Sequence, residues 1–203
     1  MSEFSLIGII TQILSALISV LLYKSHKSKF AFYLCIVLLI SALFEIVGVF
    51  YKYIEKNSYS VYYLYAGIIF SLISMLYHQI VKGKLWRNII KLLTIIFIII
   101  WGVIFFKVSL FNYVIIIGGC NVSLFIFFYL RQLLLSDEII NYRKLLPFWV
   151  SIGFLVFYLP SIPFFILFKY MKDRGLFFVL NILIILMNIF VIYGLLCSKK
   201  EKY

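Results

Sequence analysis

A single acidic residue lies inside the apolar runs of this 203-residue chain. Glu45 is flanked by Phe44 and Ile46, and no Lys or Arg occupies the middle of any apolar run to pair with it. An ionised carboxylate at membrane depth costs at least ~3 kcal/mol on insertion scales. Glu45 must therefore be neutral, hydrogen-bonded by amides and hydroxyls, or paired with something outside the chain. Two readings stay open: a ligand or proton site, and a structural hydrogen bond. The residues that could share such a site are Gln12, Asn121, Tyr158 and Asn181. At ~1.5 Å of rise per helical residue, Glu45 lies roughly 9 Å from the nearer end of its run, and the other four lie roughly 7–15 Å from the same end of theirs. That common depth points to a ligand cavity in one half of a bundle.

Other polar residues recur at helical spacing: Gly8, Gln12, Ser15 and Ser19; Ser41, Glu45 and Gly48; Tyr63, Gly67, Ser71, Ser74 and His78; Asn181 and Asn188. Steps of three, four or seven put each set on one helix face. The Ser and Gly members read as packing surfaces, because small residues let helices approach closely. Tyr62, Tyr63 and Tyr65 read as interfacial aromatics. Pro160 and Pro163 remove backbone donors three residues apart and predict a hinge. His26 and His78 have no ligand-spaced partner and read as structural. Cys35, Cys120 and Cys197 are scattered singly, so neither a zinc site nor a disulfide framework is indicated.

Motifs for hydrolysis, phosphate binding or dinucleotide binding do not occur, and one acid gives no carboxylate pair. The run 176–196 contains no Lys, which excludes a retinal Schiff base. The expectation is no enzyme, no cofactor and no metal site.

The elements that must position these groups follow from composition. The chain is 66% apolar and only 13% charged, against about half and about a quarter in a soluble domain. A water-soluble surface could not accommodate that balance. Seven runs approach the ~20 residues needed to cross hydrocarbon: 4–23, 30–51, 61–80, 89–106, 113–130, 147–168 and 176–196. They are continuously apolar rather than alternating, which favours helices over barrel strands. The fold class is an all-α integral membrane protein, a seven-transmembrane-helix bundle forming a single domain over 1–203. The run 89–106 is nearly featureless and should be peripheral. The Met-Ser-Glu start lacks a basic signal-peptide region, so the first run should stay as an anchor.

The net charge is +12. Its Lys and Arg fill the gaps between runs, a topogenic and lipid-facing pattern rather than a nucleic-acid surface. Lys24, Lys27, Lys29, Lys82, Lys84, Arg87, Lys91, Arg131, Arg143, Lys144, Lys199, Lys200 and Lys202 fall on one side; Lys52, Lys56, Lys107, Lys169, Lys172 and Arg174 fall on the other. The richer side should be cytoplasmic, which puts the N-terminus outside and the C-terminus in the cytoplasm. The connection 131–146 reads as an extension of the fifth helix followed by an amphipathic turn opened by Ser136, Asp137 and Glu138. Pro147 suits the first turn of the sixth helix.

Leu146-Pro147-Phe148-Trp149-Val150-Ser151-Ile152-Gly153, followed by Phe157-Tyr158-Leu159-Pro160, resembles a stretch found in small seven-helix membrane proteins of Bacteroidota-type bacteria. Some of these accompany signalling kinases. The resemblance covers roughly 25 residues, mainly the sixth helix, and transfers no catalytic residue. It implies a bacterial inner membrane and leans toward sensing. The leading expectation is a receptor-like module that binds a small molecule or lipid in an outward cavity and signals through a separate partner. The alternatives are a small carrier with two three-helix halves joined by the fourth helix, and a structural or assembly subunit without a ligand.

Overall fold

The computed structural model describes residues 3–26, 28–54, 59–105, 110–167 and 177–198. Seven helices account for most of them: α1 Glu3–His26, α2 Lys29–Tyr53, α3 Tyr59–Ile80, α4 Lys84–Ile104, α5 Phe111–Leu134, α6 Leu146–Leu167 and α7 Phe177–Cys197. All seven are long and apolar enough to cross a membrane. The expected limits at 106, 168 and 176, and the cations at 27, 56, 107, 169, 172, 174, 199, 200 and 202, lie outside the described residues.

The packing order makes a closed ring. Each of α1, α2, α3, α5, α6 and α7 touches the next, and α7 returns to α1. The fourth helix stands outside the ring in the groove between α3 and α5. Only 11% of its spanning stretch is buried, against 44% for α3, which fits the absence of polar residues over Ile95–Ile100. It is not featureless on its inner side. Ile90, Phe97 and Ile104 are buried there. Trp101 stacks on Tyr63 at 5.6 Å and donates its indole N–H to the Tyr63 carbonyl at 3.1 Å, while the Tyr63 hydroxyl donates to the Trp101 carbonyl. Gly67 makes this approach possible, because a Cβ there would meet the Trp101 ring at 2.4 Å. Helix α4 starts five residues earlier than its apolar run suggested. The preceding turn reverses at Gly83, whose φ of 92° suits glycine, so Lys84 can open the helix directly.

The outward faces are oily. Leu21, Val103, Phe127, Leu43 and Phe50 are all more than half exposed, and every helix carries exposed large apolar residues. In water each would forgo about 1.5–3 kcal/mol of burial; in hydrocarbon it does not. Polar side chains instead turn inward: Ser15, Ser151 and Asn188 are fully buried. An apolar exterior, with the few buried polar side chains turned inward, is the arrangement of a multi-pass membrane protein.

The connection after α5 differs in detail from the sequence expectation. It forms a 3-10 helix, Asp137–Lys144, interrupted at Asn141 by a φ of −114°. Ser136 does not cap it; its hydroxyl donates back to the Leu133 carbonyl at 2.9 Å. Pro147 is the second residue of α6. Helix α6 then continues through Pro160 and Pro163 to Leu167, with both prolines on the exposed face.

Candidate functional site

The ring encloses a cavity of about 370 Å³. This falls within the range of small-molecule sites. Its walls come from all six ring helices, and it lies between their middles and the ends marked by Tyr62, Phe111, Phe165 and Phe177. Most of the wall is aromatic or aliphatic. Phe70, Phe154 and Phe157 pack around Tyr158 with ring centroids 5.7, 6.0 and 5.0 Å from it. This collar needs close neighbours. On α5, Gly118 lies under the Phe70 ring, where a Cβ would come within 2.4 Å.

Glu45 lines this cavity from α2. It is half-buried, and no described side chain forms a hydrogen bond or ion pair with it. The Tyr62 hydroxyl sits over Gly48, one turn along from Glu45, and Tyr62 and Tyr65 lie within electrostatic reach of the carboxylate. Tyr65 is held by Ser41 through a 3.1 Å hydroxyl contact and by ring packing on Phe44 at 5.4 Å. Gln12 and Tyr158 also line the cavity, and each is only 8% exposed. Neither the Gln12 amide nor the Tyr158 hydroxyl has a hydrogen-bond partner among the described residues, although buried polar groups are normally paired. Three polar groups from α1, α2 and α6 thus converge on one hollow with bonding capacity unspent.

The remaining sequence candidates lie elsewhere. Asn121 has the expected depth but turns toward α4, its amide nearest the Leu93 carbonyl at 3.5 Å. Asn181 is half-buried and does not line the cavity. Its place is taken by Asn188, two turns further along α7, which accepts from the Ser15 hydroxyl at 2.7 Å and donates to the Ile184 carbonyl at 2.8 Å. The expected hinge residues Pro160 and Pro163 face away, while the intervening Ser161 lines the cavity. The aromatic walls were not picked out from the sequence. With 22 Phe and 16 Tyr in the chain, no single ring announces itself, and only a helical-wheel comparison of α3 and α6 could have singled out Phe70 and Phe157.

The cavity has a floor. Leu34, Leu76, Tyr77, Phe125, Ile126, Val150 and Ser151 are all essentially inaccessible, and along each helix they follow the last cavity residue. Tyr77 and Ser151 join α3 to α6 there through a 2.9 Å hydroxyl contact. Beyond this layer lies a second hollow, a groove of about 560 Å³ bordered by Phe30, Tyr129, Leu133 and Pro147. Several polar groups there pair within the chain. Gln132 clamps the Lys82 backbone, accepting from its N–H and donating to its carbonyl at 2.7 Å each, and the Lys82 ammonium meets Glu138 at 2.9 Å. Arg131 lies over the Trp86 ring at 5.3 Å.

Compared with protein-family models, curated proteins and solved structures, the chain matches none.

Proposed function

We propose that the protein is a receptor-like sensory module of a bacterial inner membrane, with the N-terminus outside and the C-terminus in the cytoplasm. Its cavity takes a small molecule or lipid from the outer side. Binding alters the relation of α2, α3 and α6, and the change is handed to a separate partner at the basic end, where 131–146 lies. The connections between the helices are too short to hold a kinase or cyclase, which is why this reading assigns the output to a separate partner. One observation carries this reading: Glu45, Gln12 and Tyr158 reach an apolar hollow with no hydrogen-bond or ion-pair partner among the described residues. Their polar atoms open onto the hollow, where a ligand can meet them with charge or hydrogen bonds. A structural subunit without a ligand would instead press Glu45 against a neighbouring helix.

The test is co-purification from native membrane in mild detergent, with mass spectrometry of bound small molecules and lipids. Wild-type protein should carry a ligand that Glu45→Gln loses while remaining folded. Equal loading of both proteins would remove Glu45 from the site. Reporter fusions after Ser28 and after Ser198 should both read cytoplasmic; opposite readings would overturn the seven-crossing topology.

A carrier is the second reading. The observation in its favour is the ring itself, in which α1–α3 and α5–α7 form two arcs with α4 left outside, as in carriers built from parallel repeats. Uptake of labelled solute into proteoliposomes above the rate of empty vesicles would select it over a sensor.

A further inference from the structure

We infer that the cavity selects a small hydrophobic cation, an organic ammonium group on an apolar body. This rests on the cavity being a ligand site. The argument begins with charge. Among the described lining residues Glu45 is the only carboxylate, and no Lys, Arg or His stands with it. A carboxylic or phosphoric acid would find no cation among them and would meet Glu45 as a like charge. A sugar would need many donors and acceptors, yet most of the wall is hydrocarbon and aromatic ring. An ammonium group answers what is present: it neutralises Glu45 and lies against electron-rich ring faces, which attract cations most strongly where water is excluded. Tyr62 and Tyr65 line the same wall as Glu45, and the Tyr62 hydroxyl lies over Gly48, one turn from it. The Tyr158 collar of Phe70, Phe154 and Phe157 then receives the apolar body. Gln12 can accept from an N–H through its side-chain oxygen, and a volume of about 370 Å³ holds one such molecule.

The probes are benzyltrimethylammonium, its neutral carbon isostere neopentylbenzene, and phenylacetate. Binding to the detergent-solubilised full chain is read by calorimetry and by the shift in thermal unfolding. The cation should bind at least about tenfold more tightly than the isostere, and phenylacetate should show no measurable binding. Glu45→Gln should erase the preference for the cation over the isostere. Since the probe comparison uses unmutated protein, a variant that fails to fold leaves the inference testable; Tyr62→Phe and Tyr65→Phe, which keep the rings, should retain most of the preference. Equal binding of cation and isostere, or tighter binding of phenylacetate, would overturn cation selection and leave the cavity as a ligand site. If none of the three binds, and native-membrane material carries no small molecule or lipid, both readings fall together.

Discussion

The two hollows of this bundle are similar in kind but opposite in chemistry. The groove beyond the floor has polar groups that answer one another: Gln132 holds the Lys82 backbone, and Lys82 holds Glu138. In the cavity on the other side, Glu45, Gln12 and Tyr158 have no such partner among the described residues. The groove is larger, yet volume is the weaker guide. A hollow whose polar atoms are mutually satisfied is explained by the fold that built it. One whose polar atoms are left open requires an explanation from outside the fold. That difference, rather than size, directs attention to the smaller space.

The contrast can be broken most forcefully at the layer between the hollows. Phe125→Ala should destabilise the protein by about 3–5 kcal/mol, because a fully buried ring is removed with little room for neighbours to relax. Thermal unfolding in detergent reads this, and an unchanged midpoint would mean that the layer is not packed as described. Glu45→Gln should act in the other direction. Replacing an unpaired carboxylate by a neutral amide should leave ligand-free stability unchanged or raise it, by up to about 3 kcal/mol. A clear loss would show that Glu45 has a partner in the protein. Gln132→Ala should cost about 1–2 kcal/mol by freeing two backbone groups of Lys82, and amide exchange at Lys82 should accelerate while exchange around Glu45 does not. The smallest effect belongs to Lys82→Ala measured against Gln132→Ala. Its ion pair with Glu138 is largely exposed, so loss of the ammonium should cost under about 1 kcal/mol and shrink further in high salt.

Much of this architecture could be read directly from residue order. Seven apolar runs become seven helices because hydrocarbon leaves the backbone no other way to satisfy itself. The isolation of α4 follows from a run such as Ile95–Ile100, which has no polar side chain to turn inward. Depth was legible too, since rise per residue is fixed. The direction in which a side chain points around its helix was not. Asn121 sits alone on α5 without a polar stripe to fix its azimuth, and it faces α4. Asn181 and Asn188 share a stripe, but seven residues separate them by roughly 10 Å along the axis, and the ring closes around the deeper one. Glu45, Gln12 and Tyr158 reach one hollow because α1, α2 and α6 meet across the ring, a relation carried by tertiary packing rather than by any local signal. The extension of α5 and the start at Ser136 were legible, but not the capping bond: the Ser136 hydroxyl donates to the Leu133 carbonyl instead.

The contact between Tyr77 and Ser151 has a consequence for how anything crosses this protein. It is the buried polar stitch in an otherwise greasy septum, so water has no foothold from which to wet a path between the two faces. Moving a solute from one side to the other would require α3 and α6 to part and leave both hydroxyls stranded in oil. Passing a message requires only that the stitch shear by a fraction of its length, carrying displacement across while the barrier stays dry.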